Sequence, residues 1–292
     1  MILNVSHRTT FRYSQSVSIS HHLLHLRPRA TPHQVLVRHS LIVQPPPTVS
    51  RNSTDYFGNS TAYITIEESH SELSIVARST VAVTAPPPVD PLSTMPWDEA
   101  TQQLAASTGP EDLNAYQFAF DSPQIAASEA VRDYASPSMA PGRPVLDAAL
   151  DLMGRIHADF TYSGGVTDVW TPVDKVLEQR KGVCQDFAHL QIACLRAFGV
   201  PARYVSGYIL THPAPGQARL VGADASHAWV SVWVPGQGWY DLDPTNDKQI
   251  AEEHVTVAWG RDYADVSPIN GLVVGGGRHS IEVAVDVSPG DE

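Results

Sequence analysis

The run Gly182-Val183-Cys184-Gln185-Asp186-Phe187-Ala188-His189-Leu190-Gln191-Ile192-Ala193-Cys194-Leu195-Arg196-Ala197-Phe198-Gly199 decides how the chain is read. Phe187, Leu190, Cys194 and Phe198 recur at the spacing of one helical face, and Gly199 followed by Pro201 supplies a stop. The run therefore predicts a helix that begins at Cys184. A thiol attacks a carbonyl carbon as its thiolate, and the unpaired amides of a helix N-terminus favour that anion. Cys184 is thus placed as a nucleophile, whereas Cys194, in mid-helix on the apolar side, is read as an inert core thiol. On one helix the two cysteines are separated by roughly 15 Å of rise, too far for a disulfide. Two free thiols fit a reducing compartment.

Working downstream, segments 202–210, 227–234 and 239–242 alternate as strands, with Pro235-Gly236-Gln237-Gly238 as a tight connection. His227, Trp229, Ser231 and Trp233 share one strand face, so an imidazole at the strand's start could serve the thiol as a base. A base of this kind needs a buried carboxylate to fix its tautomer. Asp241 and Asp243 both qualify, since alternate residues of a strand share a face. An oxyanion site would use the Cys184 backbone amide plus one side-chain donor, for which Gln185 and Tyr162 are the candidates. His189, one turn beyond Gln185, is an auxiliary candidate that could line the site or help hold it, with a packed histidine as the favoured reading. Asp186 opposes thiolate formation unless it is paired, so a partner is expected for it, either Arg203 or a backbone amide. Trp170, Trp229, Trp233 and Trp239 suit either a cleft wall or a core.

Upstream, residues 1–85 hold short runs rich in Val, Ile, Thr and Tyr, at 34–43, 62–66 and 73–83, which predict an antiparallel β domain. Ala85-Pro86-Pro87-Pro88-Val89-Asp90-Pro91 is stiff and poor in donors, so residues 86–95 are read as a linker. Residues 96–292 then form the catalytic core with a C-terminal β tail. Pro96, Ser122-Pro123 and Pro144 each open a predicted helix, the last with Leu146, Leu150, Met153, Ile156 and Phe160 on one face. The tail, from His254 onward, predicts a hairpin around Gly275-Gly276-Gly277. The fold class is α+β.

The 292 residues, 42% hydrophobic and 17% charged, can bury a real core, and the formal charge of -12 disfavours a grip on nucleic acid. No run approaches the roughly 18 apolar residues that cross a bilayer, and no signal peptide is evident, so a cytoplasmic location away from the membrane is expected. No cofactor is implied: the triple glycine lacks the helix and Lys-Ser or Lys-Thr of a phosphate loop. No metal is expected either. Asp241, Asp243, Thr245, Asp247 and Glu252 have a calcium-loop spacing, but Asn246 stands where glycine is needed and Pro244 interrupts. His21 and His22 point apart in any regular element, and with His25 they read as partly exposed sheet or turn residues.

Three motifs now stand in order: Gly182 to His189, then Ser226-His227-Ala228-Trp229-Val230, then Asp241-Leu242-Asp243-Pro244-Thr245-Asn246. Together they resemble the bacterial transglutaminase-like proteins, and the resemblance extends over nearly the whole chain. It implies a papain-like, transglutaminase-like core behind an N-terminal β domain. It also implies Cys184 as nucleophile, His227 as general base and acid, and Asp243, the aspartate before Pro-Thr, as the orienting carboxylate. Such folds host peptidases, amidases and cross-linking transferases, so the substrate is given only as a peptide or amide. Hydrolysis is the leading expectation; amine transfer and non-catalytic peptide binding are the alternatives.

Overall fold

The structure, a computed structural model, describes residues 1–212 and 226–290, so 213–225 and 291–292 of the predicted core lie outside the described residues. In chain order the N-terminal strands are β1 (Ile2–Leu24), β2 (Gln34–Gln44), β3 (Val49–Thr54), β4 (Ser60–Ile66) and β5 (His70–Val83). There follow α1 (Trp97–Ala106), α2 (Pro110–Tyr116), α3 (Glu129–Ala135), α4 (Val145–Asp159), β6 (Thr161–Tyr162), α5 (Val173–Gln179), β7 (Lys181–Gly182) and α6 (Cys184–Arg196). The remainder comprises β8 (Ala202–Ile209), β9 (Ser226–Val234), β10 (Gly238–Asp243), β11 (Lys248–Gln249), β12 (His254–Gly260), α7 (Tyr263–Val266), β13 (Ile269–Gly275) and β14 (His279–Pro289). The class is α+β, as expected.

Strand β1 is the spine of the N-terminal region. Its first half alternates, Leu3, Val5, His7 and Thr9 inward against Asn4, Ser6 and Arg8, the period of a strand with one buried face. Along this half it pairs β5, and beyond its irregular middle it pairs β4. Its other edge takes the C-terminal tail: β14 pairs residues 3–13 and β13 pairs residues 17–24. The tail expected with the catalytic core is therefore hydrogen-bonded into the N-terminal sheet. It is also no hairpin, since β13 and β14 run in line along β1. Gly275, Gly276 and Gly277, at φ 95°, 82° and 64°, carry the chain past the irregular stretch of β1 in a left-handed conformation open to glycine. A Cβ on Gly275 would stand 2.7 Å from the Ser16 carbonyl oxygen.

The second sheet has the order β11-β10-β9-β8-β12 and is antiparallel throughout. Helix α6 lies on β8 and β9, with α3, α4 and α5 packed around it. From Asp186 to Arg196 every residue of α6 is buried, so this is a central helix rather than an amphipathic surface one. Pro144 precedes α4 as predicted, and Leu146, Met153, Ile156 and Phe160 are buried on its inner side. Pro96 likewise precedes α1. Ser122-Pro123 starts no helix: the Ser122 and Ile125 amides each donate to the other's carbonyl and close a turn. The helix begins later, where the Ser128 hydroxyl accepts from the Val131 amide.

The N-terminal region is fastened to the free edge of β12 by two buried side-chain amides that stand in for a sixth strand. Gln34 accepts from the Thr256 amide and donates to its carbonyl, both at 2.8 Å. Asn59 does the same for Trp259, accepting at 2.9 Å and donating at 2.8 Å. Leu3, Val5, Val81, Val83, Val285 and Val287 of the first sheet join the same apolar cluster as α6 and β8 to β10. Removing a fork strands two part-buried backbone groups at once, so Asn59→Ala should cost about 2 kcal/mol of stability. Urea unfolding of the variant checks this.

Candidate active site

Cys184 is the first residue of α6 and is half-buried. Its position is set by the two residues before it. Val183 is extended and its amide donates to Asp186 Oδ2 at 2.7 Å, while the Thr167 hydroxyl donates to the same oxygen at 2.7 Å. The expected partner of Asp186 is thus a backbone amide, together with a hydroxyl. Arg203 instead lies between two rings, 4.1 Å from Trp239 and 3.7 Å from Trp259. Burial raises the Asp186 pKa, and the bonds from Val183 and Thr167 offset this only in part. A raised pKa lessens the carboxylate's opposition to a thiolate two residues away. Gly182 is required by this arrangement, because a Cβ there would stand 2.7 Å from both Cβ and Oδ2 of Asp186.

His227, buried near the start of β9, donates from Nε2 to Asp243 Oδ2 at 2.7 Å. Cys184 lies within hydrogen-bonding reach of the same ring. Burial lowers the His227 pKa, but hydrogen bonds with Asp243 and Cys184, followed by the charges of both, outweigh it and lift the pKa from 6.5 to about 9. His227 faces Gly207 across the sheet, and here β8 must carry no side chain. A Cβ on Gly207 would meet the Val255 carbonyl oxygen at 2.2 Å and the Trp229 ring at 2.5 Å.

Asp243, fully buried at the end of β10, is saturated with donors. Oδ1 accepts from the Thr245 and Asn246 amides at 3.0 and 3.2 Å, in a turn made by Pro244. Oδ2 accepts from His227, from Asn246 Nδ2 at 2.7 Å and from His254 Nε2 at 3.4 Å. Burial acts to raise the Asp243 pKa, but bonds from His227 and His254, the His227 charge and Asn246 overwhelm it and hold the carboxyl well below the usual range. Asp241, the rival on the same face, accepts instead from Trp229 Nε1 at 3.2 Å.

The auxiliary candidates divide. Tyr162 lies on β6, paired with Gly182 of β7, and is near enough to feel the charge of Cys184. Burial and that charge raise its pKa, which keeps the phenol as a donor. Gln185 turns away, its Nε2 donating to the Val169 carbonyl at 3.2 Å. His189 is buried, with Nε2 accepting from the Tyr263 amide at 3.2 Å, and burial lowers its pKa to about 3. It is a packed histidine that fastens α7 to α6. Trp229 and Trp233 are core residues, while Trp170 is 72% exposed.

His254, the first residue of β12, escaped the sequence reading. It lies eleven positions past Asp243, beyond an irregular turn, and no periodicity links the two. Its ring stacks edge-on with Trp229 at 5.4 Å, and burial lowers its pKa, so it stands neutral behind the carboxylate. Among the described residues, His227, Asp243 and His254 offer ligand atoms within 4.8 Å of one another, a composition that could hold a metal ion. The same atoms are joined by the hydrogen bonds above. Of the calcium-loop residues, Asp241 and Asp243 are engaged by different partners, Trp229 and His227. His21 bonds Thr65 and Tyr63, and His25 bonds the Ser267 carbonyl. His22 and His25 are buried, not partly exposed, because the tail strand β13 covers that edge of β1.

Comparison with known proteins places these residues in a family context. Residues 3–82 match the bacterial transglutaminase-like N-terminal region, and residues 132–244 match the transglutaminase-like superfamily. An uncharacterized protein of Mycobacterium tuberculosis is 43% identical over 98% of the chain and 92% of its own length. One from Mycobacterium leprae is 31% identical over 98% of both chains. A protein-glutamine gamma-glutamyltransferase of Pseudomonas aeruginosa is 41% identical over 106 residues, 34% of this chain and 16% of that protein. The crystal structure of a candidate cysteine protease from Cytophaga hutchinsonii has the same fold, with a TM-score of 0.76 at 23% identity, covering 100% of this chain and 91% of that one.

Proposed function

This chain belongs to the transglutaminase-like superfamily, with the bacterial N-terminal region ahead of its core, and on that premise we propose that it is a cysteine acyl-transfer enzyme acting on peptide or amide bonds. The observation that carries the reading is His227, bound through Nε2 to buried Asp243 while Cys184 acts on the same ring. Sγ of Cys184 attacks the carbonyl carbon, and the carbonyl π pair moves to oxygen. The oxyanion is met by the Cys184 amide, free at the helix start, and by the Tyr162 hydroxyl. The C–N bond then breaks, the amine leaves with the proton held by His227, and a thioester remains. Water attacks the thioester, His227 takes its proton, and the acid departs as the thiol is restored.

Hydrolysis is the outcome we favour. Amine resolution of the thioester is the second reading, supported by the likeness to the Pseudomonas aeruginosa gamma-glutamyltransferase. Two free cysteines fit a reducing compartment, and we place the protein in the cytoplasm. Among the described residues no helix is long and apolar enough to cross a membrane.

Reaction with p-nitrophenyl acetate separates these readings. A burst of nitrophenolate with an acetyl group on Cys184 is expected, followed by release of acetate even with a primary amine at about 10 mM. N-acetyl amine as the main product would overturn hydrolysis in favour of transfer, and no burst would favour peptide binding. On an amide substrate, turnover should fall as pH rises through about 9, where His227 loses the proton that the leaving amine needs. An unchanged rate at pH 10 would contradict that role.

A further inference from the structure

The segment 163–172 connects β6 to α5 and is tied to the first turn of the nucleophile's helix. The Ser163 amide donates to the Gly182 carbonyl at 2.8 Å, the Thr167 hydroxyl to Asp186, and Gln185 Nε2 to the Val169 carbonyl. Asp168 adds its own brace, its Oδ1 accepting from the Trp170 amide at 2.9 Å and from the Thr171 hydroxyl at 3.1 Å. These bonds hold the loop against the first turn of α6, the turn that carries Cys184. Yet the apolar side chains it presents are uncovered, Trp170 at 72% exposure and Val166 and Val169 each at 41%, and Tyr162, on β6 just before it, is exposed at 57%. Indole exposes a large apolar surface, and apolar side chains left open on a loop held beside a reactive group suit a surface that a substrate covers.

We propose that Trp170, with Val166, Val169 and Tyr162, is a specificity wall that receives an aromatic or bulky aliphatic side chain of the peptide substrate, next to the residue that acylates Cys184. This rests on the acyl-transfer reading above. The occupant follows from position, because a carbonyl seated at Cys184 brings its neighbouring side chains against this loop. The wall's chemistry selects the class: it offers ring and aliphatic surface, which an aromatic side chain covers with a gain of about tenfold over glycine. The loop is ordered before the substrate arrives, so little ordering cost opposes that gain. Gln185 is a positioning residue here, and its bond to Val169 explains why its amide is turned from the oxyanion site.

The test uses matched peptide probes that alkylate cysteine, carrying Phe or Gly on the acyl side of the electrophile in one pair and on the leaving side in another. Each rate at Cys184 is divided by the iodoacetamide rate of the same variant. In one of the pairs Phe should outpace Gly by about tenfold. Trp170→Ala should reduce that ratio to near twofold, and Trp170→Phe should keep most of it. The wall is refuted if neither pair discriminates, or if the ratio survives Trp170→Ala. Failure of iodoacetamide to react with the wild-type Cys184 is a different result, which removes the nucleophile and the wall with it. Trp170 is exposed, so loss of folding does not enter the comparison.

Discussion

Cys184→Ala should abolish turnover, with a loss of at least about 10^4-fold and no acyl-enzyme on the protein. The size follows from the loss of the covalent route itself, since no other described group beside His227 can form the thioester. Cys194 provides the control. It is fully buried in α6, burial pushes its thiol pKa well up, and among the described residues its hydrogen-bond partner is the Val131 carbonyl, a weak contact at 3.8 Å. Cys194→Ala should therefore keep turnover within about twofold while costing about 1 kcal/mol of stability, the loss of one small buried group. Burst kinetics of the two variants with p-nitrophenyl acetate, and mass spectrometry of the intact protein, separate the roles.

Asp243→Asn should lower turnover by about 10^3- to 10^4-fold, for two reasons that act together. The amide can present its NH2 group to Nε2 of His227 and so reverse the tautomer, and it removes the charge that stabilises the imidazolium. Without that charge, burial dominates and the His227 pKa falls from about 9. The signs for stability are opposite for the two partners. His227 is raised, so its contribution is full below about 6.5 and is lost as pH rises through about 9. Asp243 is depressed, so its contribution is present above 3.8 and is lost only as pH falls below that value. The stability gap between wild type and Asp243→Asn should thus be widest near pH 5 to 6 and shrink toward pH 10. Denaturant midpoints across that range measure it, and a gap that widens with pH would contradict the ion pair.

Much of the site could be read from the chain because its three main members sit at element ends with strong local signals. Glycine stops and apolar spacing placed Cys184 at a helix start, and period-two alternation placed His227 on a strand. Alternation could not separate Asp241 from Asp243, since both carboxylates share a face; only the turn through Pro244 and Asn246 directs one of them to His227. His254 was out of reach for a different reason. Its approach to Asp243 depends on β12 adding to the edge of β8, a pairing that local periodicity does not encode. The tail failed in the same way: strong β propensity was evident, but the partner strand lies at the other end of the sequence. Gly275 to Gly277 do take the left-handed conformation open to glycine, but they carry the chain past the irregular stretch of β1 instead of reversing it.

The central claim is that Cys184 is activated by His227, and the direct measurement is iodoacetamide labelling of the native protein at about pH 6.5, with peptide mapping of both cysteines, in wild type and His227→Ala. Thiolate alone is alkylated, so the comparison reads how much of each cysteine is ionised and reachable. The account predicts rapid labelling of Cys184, none of Cys194, and at least a tenfold slower reaction of Cys184 in His227→Ala. Equal labelling of the two cysteines, or a Cys184 rate unaffected by His227→Ala, would contradict it.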